Sequence, residues 1–265
     1  AEVLGALIQL VLLLVGFHYV QQGYGMQAVL SARRGFFWSH AKRRVILLHC
    51  FSGWGYAWSR PAHPARLVEE SGVVYTSVAI PKALELVTGI VFAASALALA
   101  FVLVRKWQRE RRLPPLAPFV GFSITIWAWT VFSDVDPLFI YMIPALHSVQ
   151  YLYFVHLLEK NQALENEREH LGPPVRQRLW LGSTMALGLG VVLFHLLPGL
   201  LDGALVPRPR DMTERDLLLG TTPYFAAFFT CINIHHYAMD QVIWRRDNPK
   251  TRHLTARPST TMQAS

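Results

Sequence analysis

The chain of 265 residues has 25 Lys and Arg against 17 Asp and Glu, a formal charge of +8, and 16% charged against 52% hydrophobic residues. Soluble proteins of this size run to about a quarter charged residues, so this deficit, with a mean hydropathy of +0.29, excludes an ordinary soluble domain and points to a bilayer. The surplus basic residues lie in short segments beside apolar runs, which argues against nucleic acid as a partner, since basic patches for that purpose need a soluble face to act from.

The sequence opens on apolar residues without a basic leader region, so its first segment reads as a membrane span rather than a signal peptide. That segment runs from about Leu4 to Gln22 and stacks His18 and Gln22, at i and i+4, on one side. Arg33, Arg34, Lys42, Arg43 and Arg44 follow and mark a cytoplasmic loop. Val45 to Ser59 is short and contains His49, Gly53 and Gly55; it reads as a tilted span or a re-entrant piece. An external loop with Pro61, Pro64, Glu69 and Glu70 leads to a third segment, Ser77 to Val104, in which Glu85 sits one turn inside the helix start and is expected to pair with Lys82.

Arg105, Lys106, Arg109, Arg111 and Arg112 mark the next cytoplasmic side. Leu116 to Ser133 forms a fourth segment, and a turn at Asp134 to Pro137 opens a fifth that continues to about Leu158, with His147, Gln150, Tyr151 and Phe154 on one face. Pro144 is expected to kink it. Glu159 to Arg178 reads as a polar connector, Leu179 to Leu200 as a sixth segment, Asp202 to Asp216 as an external loop, and Pro223 to Trp244 as a seventh.

The expected fold class is all-α, a polytopic membrane helix bundle with about seven transmembrane helices, or six if Val45 to Ser59 does not span. Seven passes put every strongly basic connector and the basic C-terminal tail on the cytoplasmic side, with the amino end outside. Residues 1–250 read as one membrane domain and 251–265 as a polar, disordered tail. A bacterial inner membrane fits this pattern.

The seventh segment carries Cys231, Asn233, His235, His236 and Asp240 within an otherwise apolar run. Ionisable groups inside spans are costly; they face the bundle interior and mark a pathway, a relay or a ligand site. On a helix Asn233, His236 and Asp240 share one face, with His235 about 100° round it. His147 lies ten residues after Pro137, and His235 and His236 lie twelve and thirteen after Pro223. At about 1.5 Å per residue their depths differ by only a few Å, and His18 falls at mid-depth or somewhat toward the cytoplasm. The expected metal ligands are therefore His18, His147, His235 and His236. Gln22, Gln150 and Asn233 are expected to bind the cofactor through hydrogen bonds, and Asp240 to orient His236, bind metal or move a proton. Cys50 and Cys231 read as packing residues rather than a disulfide. The competing account is that these polar groups only join helices, each contributing about 0.6 to 2 kcal/mol.

Imidazole suits iron, copper, zinc and nickel. The leading functional reading is a metal-dependent membrane oxidoreductase, a non-haem iron oxygenase, hydroxylase or desaturase acting on a lipid or another apolar substrate. The adjacent pair His235 and His236 resembles part of the histidine boxes of membrane di-iron enzymes over those two residues; the H-x-x-x-H and H-x-x-H-H arrangements of that family are absent. A second reading is a haem b electron carrier with His147 and one of His235 or His236 as axial ligands. A third is a transporter or an accessory subunit of a larger membrane complex. The expected partners are membrane lipids, an apolar substrate and a redox partner or other membrane subunits.

Overall fold

A computed structural model describes residues 1–70, 72–112, 115, 126–132, 135–136, 138–168, 173–207 and 212–243. Most of the fourth expected segment and the whole C-terminal tail lie outside the described residues. Helix makes up 79% of what is described. The elements are α1 (Glu2–Arg33), α2 (His40–Trp58), the strands β1 (Leu67–Glu70) and β2 (Val73–Thr76), α3 (Lys82–Glu110), α4 (Leu138–Arg168), α5 (Val175–Val191), a π-helical turn (Val192–Leu196), α6 (Leu197–Leu205), α7 (Glu214–Leu219) and α8 (Pro223–Ile243). Among the described residues three helical runs are long and apolar enough to cross a membrane: α1, α3 and the continuous run Val175–Leu205. The last of these displays its apolar side chains outward, Leu187 and Leu200 among them, as a lipid-facing helix must.

Two compact units divide the chain, with boundaries that fall inside continuous helices. The first comprises Ala1–His18, Trp58–Val87 and Trp180–Gln241. Its core is Ile8, Val73, Tyr75 and Ala226, with Leu4 and Val68 packed against them. Here the structure departs from the expected external loop: β1 and β2 form an antiparallel hairpin, Leu67 opposite Thr76 and Glu70 opposite Val73. Gly72, at φ 79°, supplies the left-handed residue that so tight a turn requires. A Cβ on Gly5 would run into the Cβ of Tyr75, so the hairpin rests on the bare backbone of α1. Gln9 fastens it there, accepting from Val78 N–H at 2.8 Å and donating to the Thr76 carbonyl at 3.3 Å.

Asp202 was expected in a loop but lies in α6, where its carboxylate accepts from the backbone N–H groups of Tyr224 (2.9 Å) and Phe225 (3.1 Å). Those are unpaired donors of the first turn of α8, so a carboxylate from another helix supplies the N-cap and complements the helix dipole. Glu85 accepts from Ala62 N–H at 2.9 Å and pairs with Arg60 at 3.7 Å, tying the start of α3 to the segment after α2.

The second unit comprises Tyr19–Ala57 and the described residues of 88–179. Its core gathers Val20, Phe36, Trp38, Ile46, Cys50, Phe92, Leu99 and Ile126. A Cβ on Gly53 would lie 2.6 Å from Ile126 Cγ2 and 3.0 Å from Phe92, so α2 approaches its neighbours at a point where only glycine fits. Helices outrun the apolar segments that announce them: α1 continues to Arg33, α3 to Glu110 and α4 through the expected polar connector to Arg168. Lys106, near the end of α3, is buried; its Nζ donates to the Phe37 carbonyl (3.2 Å) and to Glu110 (2.6 Å) and lies 4.3 Å over the Phe36 ring. This ammonium pins the turn between α1 and α2.

Candidate metal centre

The cap from Asp202 fixes where α8 begins, and His236 follows thirteen residues after Pro223, roughly 20 Å along the helix axis. From there α8 presents His236, Tyr237 and Asp240 to α1. His18 of α1 is 1% exposed and Asp240 is 3% exposed, with His18 Nδ1 3.6 Å from Asp240 Oδ2. Tyr237 stacks on the His18 ring at 4.7 Å between centroids, and the His236 ring meets His18 edge-on at 4.9 Å.

The next residue of α1, Tyr19, packs against the His147 ring of α4 at 4.0 Å and against Trp129 at 5.3 Å. One donor nitrogen each from His18, His147 and His236 lies within 4.8 Å of the other two. With bonds of about 2.0 to 2.1 Å to an ion such as zinc, nitrogens sharing it stand no more than roughly 4.2 Å apart, a little less than the upper limit of this set. His18 and His147 are buried and His236 is half-buried. The buried cluster can hold a metal ion. A carboxylate beside Nδ1 of His18 favours the proton on that nitrogen and leaves Nε2 as the donor, the arrangement common to metal-bound histidines.

The structure does not bring every expected residue to this point. His235 is exposed and outside the group, because consecutive residues of a helix point about 100° apart and only one of an adjacent pair can face α1. Asn233 has a different role from the cofactor contact expected of it: its amide donates to the Phe229 carbonyl at 2.7 Å and accepts from Tyr237 O–H at 3.3 Å, bracing the ring that stacks on His18. Gln22 is buried one turn from His18, its Nε2 3.9 Å from Met26 Sδ and its Oε1 without a hydrogen-bond partner among the described residues. Gln150 falls on α4, but its side chain lies outside the described ones. Asp240 adjoins His18 rather than the histidine one turn before it on its own helix. Cys231 is exposed, as are His156 and His195.

The aromatic flank of Tyr19, Tyr237 and Trp129 was not anticipated. A signal existed, since both His18 and His236 are followed directly by tyrosine. A buried histidine outside this group also emerged. His49 Nδ1 is 3.1 Å from Ser95 Oγ, which lies 2.8 Å from Ser52 Oγ, and Ser52 donates to the His49 carbonyl at 3.0 Å. The imidazole stacks flat on Phe92 at 5.0 Å.

Comparison with protein-family models, curated proteins and solved structures finds no match for this chain.

Proposed function

We propose that this chain is an integral membrane metalloprotein, and that it works as a non-haem iron oxidoreductase on an apolar substrate, with His18, His147 and His236 as metal ligands. The observation that supports this is the convergence of three imidazole nitrogens within 4.8 Å, in a protein with three helices apolar enough to cross a bilayer. His18, His147 and His236 would hold the ion, and iron bound to imidazole would supply redox chemistry there. Burial keeps water from reactive intermediates, which favours redox chemistry over hydrolysis.

Haem is disfavoured by the same geometry, because a porphyrin takes at most two axial protein ligands and needs the space between them for the macrocycle. In this reading Asp240 holds the His18 ring and fixes its tautomer. Tyr237 covers the His18 ring and Tyr19 packs on that of His147, and the membrane delivers the substrate laterally. The passes number seven, with the basic connectors on the cytoplasmic face of a bacterial inner membrane.

Elemental analysis and a visible spectrum of the detergent-purified protein test the proposal. Iron near one equivalent, no haem band, and loss of the iron in His18→Ala, His147→Ala and His236→Ala are expected. Absence of any transition metal, metal content indifferent to all three substitutions, or a haem spectrum would overturn it.

A further inference from the structure

The first unit carries an open-mouthed cavity of about 490 Å³, within the range of roughly 300 to 1,000 Å³ typical of small-molecule sites. One wall is a stripe of α1 on which Leu10 and Leu13 stand; the others come from Trp58, from the hairpin and from the strand-like segments on either side of it. Two of its polar groups are already engaged in holding the wall together. The Gln9 amide binds the backbone of Thr76 and Val78, and the Ser77 hydroxyl accepts from Arg66 N–H at 3.4 Å.

His63 and Glu70 are different. His63 Nδ1 faces the Pro64 carbonyl at 2.8 Å and so carries the proton, which leaves Nε2 as an acceptor. Glu70 is paired with Val73 across the hairpin and shares a face with Val68 and Tyr75, the face that carries the core of this unit. A carboxylate at such a position has no packing role. Its charge is felt nearby: burial first, then Glu70, holds the Tyr75 phenol above its ordinary value.

The cavity therefore combines an aliphatic wall on α1 with two acceptors, one of them anionic, and is lined also by Trp58 and Tyr75. Glu70 makes no ion pair among the described residues, and a carboxylate beside apolar surface selects a cation with an apolar body, as an ammonium amphiphile is. We propose that this cavity binds a single-chain amphiphile with an ammonium head, the head at Glu70 and the chain along Leu10 and Leu13. This site uses none of the metal-ligand candidates and stands whether or not the metal proposal does.

Equilibrium dialysis of tritiated dodecylamine against the full-length protein in maltoside micelles at pH 7 tests it, with protein-free micelles as background and unlabelled dodecanoate as competitor. Saturable binding at one site is expected, with dodecanoate at least about tenfold weaker as a competitor. Glu70→Gln lowers dodecylamine affinity about tenfold, as loss of a charge-assisted contact should. Leu13→Trp, which fills the cavity, weakens both ligands, while His236→Ala leaves dodecylamine binding unchanged. Should Leu13→Trp fail to fold, Glu70→Gln alone decides, because that carboxylate is exposed and its amide is nearly isosteric. Binding no greater than micelle partitioning, equal competition by dodecanoate, or an unaltered affinity in Glu70→Gln would overturn the assignment.

Discussion

His49 and the group of His18, His147 and His236 are all imidazoles set among apolar helices, yet their surroundings follow opposite rules. Around His49 the partners are hydroxyls and a flat phenyl ring: Ser95 meets Nδ1, Ser52 closes a loop back to the His49 carbonyl, and Phe92 covers the face. Around the triad the neighbours of an imidazole are other imidazoles, aromatic rings and a carboxylate. Hydroxyls can donate or accept as needed, so the first arrangement is complete within the protein. The triad instead groups three ring nitrogens, with a carboxylate beside one of the rings, a donor set that suits a cation. The contrast separates a histidine bonded within its own unit from histidines grouped so that they can hold an ion.

The largest effect expected is on metal content. Each of His18→Ala, His147→Ala and His236→Ala should lower bound metal to below about a tenth of the wild-type ratio, since a site built from three ligands rarely survives on two. His49→Ala should leave that ratio untouched, and a metal loss there would break the contrast. Asp240→Asn keeps the shape but not the charge beside His18, and metal affinity measured against a chromophoric chelator should fall about 10- to 100-fold. An unchanged affinity would show that the carboxylate does not support the ligand.

Effects on folding should be smaller and opposite in pattern. Ser95→Ala strands the buried His49 Nδ1 and should cost about 1 to 3 kcal/mol, read as a lower thermal midpoint in detergent with full metal content. Asp202→Ala removes two hydrogen bonds from the first turn of α8 and should cost about 0.5 to 2 kcal/mol. His235→Ala should change stability by no more than about 0.5 kcal/mol and metal not at all, because that ring is exposed and outside the triad. If it strips the metal, the assignment of ligands on α8 is wrong.

Sequence reasoning reached His147 and His236 because depth in a membrane can be counted along a helix from its first proline, and Pro223 does begin α8; His18 stood out as a polar residue stacked with Gln22 in an apolar run. It could not choose between His235 and His236, since depth is blind to azimuth and the choice depends on where α1 lies. For the same reason Asp240 was assigned to its own helix when its neighbour is His18 of another. The hairpin escaped notice because two four-residue strands are too short for alternation to show, and Glu69-Glu70 reads as a polar loop. Helix ends were misjudged at Arg33, Glu110 and Arg168 because hydropathy marks where a helix leaves hydrocarbon, whereas the chain goes on coiling through residues with good helix propensity.

The π-helical turn at Val192–Leu196 has a consequence far from itself. A π turn accommodates one residue more than α-helical winding would, so every side chain after it is rotated by about 100° from its uninterrupted bearing. Asp202 lies downstream and grips the first turn of α8. Deleting one residue from the turn would swing that carboxylate away from the first turn of α8. The start of the helix that carries His236 is thus set in part from the winding of another helix, at Val192–Leu196.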